Sequence, residues 1–402
     1  MIHLTIKNLG PVKNTGIMVI TPVTVFCGPQ GSGKSTIAKV LSSCIWLEKS
    51  IVKQEVSEKF YTQNRMFRKM LCAYHQIEDF FRADTYINYD GDAYTLEYVD
   101  ERLHVSRKSG HTEYLLPKVM YFPAERNFMV SIEQADRVRN LPPALVTLQE
   151  EYIKALGGLK SPFPLLDGFA IVYSKQNKIT YIVKGTSRVR VHKAASGFQS
   201  LLPLLLVSNS LSAGISKNKT ETLSAEERTS LRKRIDRIQN DNTISEHLKT
   251  IIIEDLSKII APRCLWSVVE EPEQNLYPHS QKEILLSLLK DRKRNKGSGL
   301  VMTTHSPYVI NYLSICVKAY QVAESLSAYD DVSKVDDIIP AESRLASQDL
   351  SIYEITKDGD IRNLETYDGI PTDSNFLNLA LSETNDLYDD LMDIEDETGR
   401  SN

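Results

Sequence analysis

The sequence predicts an α/β fold built around a phosphate-binding loop, and three observations support this prediction. A short apolar segment at 23–27 leads into the glycine-rich stretch GPQGSGKS, and a helical pattern follows it. Two more apolar segments, at 265–269 and within 300–307, end in polar residues. Buried strands of a parallel sheet have this apolar character, and their carboxyl ends carry ligand-binding residues.

The composition indicates a globular protein of the cytoplasm. The 402 residues are 42% hydrophobic and 25% charged, and the net charge of -4 neither favours nor excludes a nucleic-acid partner. Five scattered cysteines lack CxxC spacing, so we expect reduced thiols rather than disulfides or zinc ligands. The chain starts with a strand-like pattern instead of a signal peptide, and no apolar run approaches the roughly 18–20 residues of a membrane span. We therefore expect no membrane partner.

The glycine-rich stretch fits the phosphate-binding pattern GxxxxGK[ST]. Its glycines allow main-chain N–H groups to surround the β- and γ-phosphates, while Lys34 adds a cation and Ser35 a hydroxyl ligand for Mg²⁺. The predicted nucleotide-binding residues are Gly28, Pro29, Gln30, Gly31, Ser32, Gly33, Lys34, Ser35 and Thr36. This pattern predicts a P-loop protein that binds a nucleoside triphosphate.

Two adjacent carboxylates follow the second apolar segment. In a P-loop enzyme Glu270 would hold Mg²⁺ through its water shell, and Glu271 would polarise the attacking water. A solvated acidic turn before Pro272 is the alternative interpretation. His305 ends the third apolar segment; a lone histidine is more often structural, but at the end of the next strand it is a candidate sensor of the γ-phosphate.

Four motifs follow one another along the chain in a characteristic order. GPQGSGKS, SGFQS, VVEEPE with NLYP, and TTHSP stand where Walker A, signature, Walker B with D-loop, and H-loop stand in ABC-type ATPases. The wording EEPExxLxP and THSP is most similar to the RecF, OLD and Rad50/SMC side of that group. The resemblance implies an ABC-type head with a mixed central sheet, an antiparallel β-lobe and inserted helical segments, and an ATPase that uses ATP and Mg²⁺.

The resemblance also assigns residues that act across two chains. The signature motif caps the γ-phosphate of ATP bound by a partner, through a serine hydroxyl, a glycine that allows close approach, and a helix N-terminus. Its residues here are Ser196, Gly197, Phe198 and Gln199, and the D-loop residues are Gln274, Asn275 and Leu276. A serine-capped core helix is the alternative interpretation of SGFQS. Two heads that enclose two ATP molecules form a homodimer or a higher homo-oligomer.

Three positions depart from the family pattern or fit it less clearly. The family usually has glycine where this chain has Phe198, and aspartate where it has Glu270. YFPAERN, at 121–127, ends a strand where the head should meet its lobe. We expect Glu125 or Arg126 to couple the two parts there, and a structural salt bridge is the alternative.

The motifs divide the chain into four segments. Residues 1–208 form the N-terminal part of the head, with Walker A, the β-lobe, the helical lobe and the signature motif. Residues 209–262 are a helical insertion, and residues 263–320 complete the head with Walker B, D-loop and H-loop. Residues 321–402 form a C-terminal extension with an acidic tail. The insertion carries apolar residues on one helical face, which pack on the head or contact a partner.

Two charged segments allow two interpretations each. The run KDRKRNK at 290–296 is a solvated loop or a contact with a DNA backbone. The tail from about 383 holds eight acids and one arginine, and it either serves solubility or docks a basic partner. Its apolar residues with amphipathic spacing are Leu387, Tyr388, Leu391 and Ile394.

Two functions compete for this ATPase. In the favoured one, ATP-dependent association of heads switches a separate effector, such as a nuclease or toxin, as in the bacterial anti-phage systems Septu, PARIS and the retron-associated operons that the chain resembles. The alternative is a DNA-repair or DNA-end-binding ATPase of the RecF/Rad50 kind, which calls for a stronger basic channel or a long coiled coil. A scaffold with a dead site conflicts with the intact Lys34, Glu271 and His305.

Overall fold

The computed structural model describes most of the chain, and every structural statement below concerns the described residues. They are 1–53, 55, 58–62, 66–109, 114–132, 138, 140–217, 223, 225–241, 243, 245–250, 252–253, 261–326 and 331–397. The strands are β1 (Ile2–Leu9), β2 (Val12–Asn14), β3 (Met18–Ile20), β4 (Val23–Cys27), β5 (Phe81–Asp90), β6 (Tyr94–Val99), β7 (Arg102–Arg107), β8 (Pro117–Phe122), β9 (Phe163–Pro164), β10 (Ala170–Ser174), β11 (Ile179–Lys184), β12 (Ser187–Arg190), β13 (Cys264–Glu270), β14 (Gly299–Thr304), β15 (Leu350–Ile355), β16 (Ile361–Asn363), β17 (Thr366–Tyr367) and β18 (Ile370–Pro371). The helices are α1 (Lys34–Val52), α2 (Glu58–Thr62), α3 (Phe128–Ser131), α4 (Pro143–Gly158), α5 (Ser196–Ser216), α6 (Ala225–Gln239), α7 (Pro278–Lys293), α8 (Pro307–Ser325), α9 (Ser333–Asp336) and α10 (Phe376–Glu397).

The central sheet has six strands in the order β16-β15-β4-β14-β13-β8. The strands from β15 to β8 run parallel, and β16 pairs antiparallel with β15, so the sheet is mixed. Every residue of β4 and β14 is buried, which explains their continuous apolar sequence. The carboxyl ends of β4, β14 and β13 lie side by side at one edge. The predicted α/β fold with a mixed central sheet is confirmed.

An antiparallel lobe packs beside this sheet. Strand β1 pairs with β2, β3 and β5, and the order continues through β6 and β7. Buried and half-buried residues alternate along β6, as expected for a strand with one face on the core. A second antiparallel sheet, β12-β11-β10-β9, precedes α5. The predicted β-lobe is therefore present, and β8, which follows it in the chain, belongs to the central sheet.

The helix after the phosphate-binding loop holds the lobe through one carboxylate. Glu48 in α1 is buried, and its Oε1 accepts hydrogen bonds from the main-chain N–H of Ala93 (2.6 Å) and Tyr94 (2.9 Å). Its Oε2 accepts one from the Tyr89 hydroxyl at 2.8 Å. Burial raises the pKa of Glu48, whereas these hydrogen bonds act to lower it. The turn between β5 and β6 is thus fixed to α1.

Helix α5 lies in the core next to α4 and α7. By length and composition alone it could span a membrane, but 67% of its apolar window is buried inside the protein. Serines and Asn209 interrupt its apolar residues, which is why the sequence shows no uninterrupted run of that length. Its leucines fill the space between sheet and helices, as in a core helix.

The C-terminal segment completes the central sheet. Strand β15 pairs in parallel with β4, the strand that leads into the phosphate-binding loop. The Tyr353 hydroxyl accepts a hydrogen bond from the Val19 N–H at 2.7 Å. Glu354 is fully buried and accepts the N–H of Phe376 at 2.7 Å, which fixes the start of α10. Residues 350–363, assigned from sequence to an extension, therefore belong to the central sheet.

The segment predicted as an insertion begins inside α5, which continues to Ser216. Helix α6 follows, and its apolar residues Leu231, Ile235 and Ile238 are half-buried on one face. On the same face, Arg234 donates a hydrogen bond to the Lys53 carbonyl at 3.1 Å, so α6 contacts the end of α1. Residues 254–260, near the end of the predicted helical insertion, lie outside the described residues.

The basic run at 290–296 forms the end of α7 and the turn after it, and acids of this chain pair with its side chains. Lys290 lies 2.7 Å from Glu342, and Arg292 lies 3.1 Å from Asp349. Arg294 donates to the Ser212 hydroxyl at 2.7 Å. These contacts reduce the charge that the run presents to a DNA backbone.

Candidate nucleotide site

The loop between β4 and α1 needs glycine at two positions. Gly28 has φ of 145°, and a Cβ there would lie 2.2 Å from the Ile355 carbonyl oxygen. Gly33 has φ of 103°, and a Cβ there would lie 2.7 Å from the Val12 side chain. Positive φ and close neighbours exclude other residues. The end of β15 therefore packs against the start of the loop, and the segment that joins β1 and β2 packs against its end.

Gly28→Ala is expected to lower the melting temperature of the nucleotide-free protein, because the new Cβ collides with a backbone carbonyl that cannot turn away. The expected loss of unfolding free energy is about 1–3 kcal/mol. Gly31→Ala is the matched control: Gly31 also has positive φ, 77°, but a Cβ there meets nothing within 4 Å. Equal destabilisation of both variants would contradict the role of the Ile355 contact.

Lys34 is the buried cation of the loop. Its ammonium donates hydrogen bonds to the carbonyls of Gly28 (2.8 Å) and Pro29 (2.7 Å). Its Nζ also lies 3.5 Å from Nδ1 of His305. Burial lowers the pKa of Lys34 to about 8, and the carboxylate of Glu271 opposes this shift. The ammonium is thus costly to bury until phosphate oxygens are offered to it.

Glu271 and His305 meet at the ends of two adjacent strands. Oε1 of Glu271 lies 3.3 Å from Nε2 of His305, and both side chains are about one-third exposed. The hydrogen bond with His305 is the main reason why the pKa of Glu271 is lowered. Glu271 has a left-handed backbone, φ 45°, and its N–H donates to the Thr303 carbonyl at 2.9 Å. The predicted pair of catalytic side chains therefore lies beside Lys34.

Glu270 is buried on the other side of the same strand end. Its Oε1 accepts the Tyr121 hydroxyl at 2.6 Å, and its Oε2 accepts the Ala124 N–H at 3.1 Å. Each oxygen can still accept another contact, and oxygen atoms such as those of carboxylates and hydroxyls are the ligands that Mg²⁺ prefers. Together with the half-buried Ser35, Glu270 fits an ion held partly through water and phosphate. The described chain offers no group of three or more metal-binding side chains that would hold a metal alone.

A third acid of VVEEPE supports the site, and sequence reasoning missed it. Oε1 of Glu273 accepts hydrogen bonds from the His305 N–H (2.7 Å) and the Thr304 hydroxyl (2.8 Å). Burial raises the pKa of Glu273. Glu273 thus fixes the backbone that carries His305. The only available signal was the repeated glutamate, which equally suits a solvated turn.

The signature residues start helix α5 and contact the D-loop of their own chain. Ser196 is exposed, and a Cβ on Gly197 would lie 2.8 Å from the Asn275 carbonyl. The Asn275 amide donates to the Ser200 hydroxyl at 3.1 Å. The signature residues Phe198 and Gln199 face inward: the Phe198 ring packs 4.8 Å from that of Phe169, and Gln199 Nε2 donates to three carbonyls at 191–194.

The two candidates for coupling at the end of β8 differ sharply. Glu125 is exposed, whereas Arg126 is fully buried. The Arg126 guanidinium donates to the carbonyls of Glu270 and Glu271, both at 2.7 Å. Main-chain carbonyls, rather than a carboxylate in a salt bridge, are the hydrogen-bond partners of Arg126.

Comparison with protein families identifies the family of the chain. The family model described as AAA domain (AAA_23) matches residues 3–397. The chain belongs to this AAA domain family. No curated protein matches the sequence of this AAA domain protein.

Solved structures of SMC and ABC proteins are similar to the chain at low identity. The SMC head domain from Thermotoga maritima is 10% identical, with a TM-score of 0.35, over 90% of this chain and 98% of that chain. An SMC head bound to the C-winged helix domain of ScpA is 9% identical, with a TM-score of 0.34, over 90% and 96%. A dimeric ATP-binding cassette bound to ADP and Pi is 11% identical, with a TM-score of 0.29, over 90% and 100%.

Proposed function

We propose that this AAA domain protein hydrolyses ATP between two copies of the chain, and that the pairing of the two heads is a switch for a separate effector. The observation that supports it most is the position of Ser196. This residue is exposed at the start of α5, and its neighbour Gly197 packs on the D-loop instead of the phosphate-binding loop of its own chain. An exposed helix N-terminus of this kind suits a phosphate from elsewhere.

The chemistry follows from the side chains at the strand ends. Lys34 and the loop N–H groups bind the phosphates, and Glu271, a carboxylate at neutral pH, accepts a proton from the attacking water. His305 contacts the γ-phosphate, and Glu271 holds its imidazole while Glu273 holds its main-chain N–H. Ser35 and Glu270 would hold Mg²⁺, which would neutralise phosphate charge when bound. Ser196 and Gly197 of the second copy complete the site.

The proposed effector is a nuclease or toxin of a prokaryotic anti-phage system, and helix α10 offers it a surface. The apolar side chains Leu387, Tyr388 and Leu391 are each about 64–65% exposed, and eight acids with no basic residue share the helix. Like charges disfavour pairing of two such helices, whereas a cationic apolar segment of an effector would match them.

Direct action on DNA is the second candidate function, and the resemblance to RecF and Rad50 heads favours it. The pairing of Lys290, Arg292 and Arg294 with partners in this chain weakens it. The ATPase rate with and without duplex DNA separates the two functions. Strong stimulation by DNA, with no protein partner among neighbouring gene products, would favour DNA repair.

Mixing two inactive variants tests the pairing of heads. Lys34→Met removes the cation that binds the phosphates, and Ser196→Arg blocks the signature motif, so each variant alone is expected to lose about 100-fold or more in ATP turnover. In the mixture, the Ser196→Arg chain supplies Lys34 and Glu271, and the Lys34→Met chain supplies Ser196. One intact site per dimer should restore turnover.

Phosphate release is measured as the two variants are titrated against each other. A mixture of Ser196→Arg with a double variant that also carries Lys34→Met is the control, because it contains no complete site. Failure of the first mixture to exceed that control would reject the shared site. Full activity of either variant alone would reject it as well.

A further inference from the structure

One buried guanidinium contacts both the strand end that carries Glu271 and the first turns of helix α5. Arg126 is 0% exposed, and its Nη1 and Nη2 donate to the carbonyls of Glu270 and Glu271, both at 2.7 Å. Its Nε donates to the Ser200 carbonyl at 3.0 Å, and Nη1 also approaches the Pro123 carbonyl at 3.3 Å. Three segments of the backbone, the ends of β8 and β13 and the first turns of α5, therefore meet at one side chain.

This arrangement uses properties that belong to arginine alone. The guanidinium is planar and presents five N–H donors in a fixed fork, so it can hold several carbonyls at set angles. Burial lowers the pKa of Arg126 to about 10, which still leaves it charged at neutral pH. A lysine carries the same charge at a single nitrogen and cannot span Ser200 and Glu271 together.

The carbonyls that Arg126 holds determine the placement of catalytic groups. Glu271 has a left-handed φ of 45°, a conformation that a non-glycine residue keeps only when its surroundings fix it. This turn is bound on both sides of the Glu271 Cα: Arg126 donates to the Glu271 carbonyl, and the Glu271 N–H donates to the Thr303 carbonyl. Ser200 lies one turn after Ser196, so its carbonyl moves with the signature end of α5.

We propose that Arg126 is a positioning residue that ties Glu271 in one nucleotide site to the signature helix that serves the other site. Asn275 of the D-loop makes a second connection to α5, since its side-chain amide donates to the Ser200 hydroxyl. A shift of Glu271 on phosphate binding is thereby passed to α5 of the same chain. The two sites of a pair sense each other through this contact. The inference rests on the proposed pairing of heads.

The mixed dimer with a single complete site tests this inference. Arg126→Lys is placed either in the Ser196→Arg chain, beside the working Glu271, or in the Lys34→Met chain, behind the working signature helix. We expect turnover to fall about 10- to 100-fold in both placements, because misplacement of about 1 Å on either side of the phosphate is sufficient. Loss only in the first placement would show a local effect on Glu271 and overturn the inference, as would no loss in either placement.

Arg294→Lys is the matched control. It makes the same exchange at an arginine that contacts the far half of α5, through the Asn209 carbonyl (3.3 Å) and the Ser212 hydroxyl (2.7 Å). It should leave turnover of the mixed dimer unchanged. The ATP affinity and the melting temperature of each chain that carries Arg126→Lys show whether it is folded. If Arg126→Lys does not fold, Arg126→Gln, which keeps two N–H donors, takes its place. If the parent mixture without Arg126 variants is inactive, the shared site itself fails rather than this inference.

Discussion

Glu271→Gln is expected to reduce ATP turnover by about 100- to 10,000-fold while ATP binding persists, because an amide cannot take a proton from water. The exchange keeps the size of the side chain and one oxygen that can face His305. In the native protein, Nε2 of His305 lies 3.3 Å from Oε1 of Glu271. Lys34 and its loop remain intact. ATP should therefore stay between the heads, and pairs of chains should accumulate.

Phosphate release and the mass of the protein in solution, each with and without ATP, check this prediction. Glu150→Gln is the control, since it makes the same chemical change at an exposed position on α4. It should turn over ATP at the native rate and form no lasting pairs. Undiminished turnover in Glu271→Gln would remove Glu271 from its catalytic role.

Lys34→Met is expected to weaken ATP binding by about 10- to 100-fold, the contribution of charged hydrogen bonds to phosphate. Methionine has a similar length and can pack in the same space, but it carries no positive charge. Binding is measured by calorimetry on the nucleotide-free protein, and Lys39→Met, a change to a half-buried lysine further along α1, is the control. Native affinity in Lys34→Met would contradict the placement of phosphates at this loop.

The pH dependence gives Lys34 a signature of its own. Because burial lowers its pKa in the free protein to about 8, the native chain loses this proton above pH 8, while bound phosphates favour the charged form. ATP affinity should therefore decrease from pH 8 upwards in the native protein and lack this component in Lys34→Met. The unfolded chain keeps the proton up to about pH 10.4, so the native protein should gain stability relative to the variant over the same range.

The sequence was most informative where buried strands end in loops. The predicted segment 23–27 coincides with β4, and the segments before Glu271 and His305 coincide closely with β13 and β14. Parallel strands that share one edge bring their terminal side chains together whatever the rest of the chain does. The proximity of Lys34, Glu271 and His305 follows from this rule, whereas their catalytic roles stay predictions.

Contacts that depend on tertiary packing were beyond the sequence. Nothing in the pattern at 350–355 identifies β4 as its neighbour, because pairing of distant strands leaves no local signature. A buried Arg126 has the same sequence signal as an exposed one, and only the four carbonyls around it reveal its role. Glu273 likewise resembles a surface acid until the N–H of His305 is placed against it.

The place of β15 beside β4 has a consequence for biosynthesis. Strand β4, which leads into the phosphate-binding loop, pairs with a strand from far along the chain. Strand β15 also contacts β3, where Tyr353 and Val19 are 334 positions apart. A ribosome must therefore release almost all of these residues before β4 is flanked on both sides, and contacts of such separation form slowly. Until then β4 lacks one of its two neighbours, so its main-chain N–H and carbonyl groups on that side have no strand to pair with.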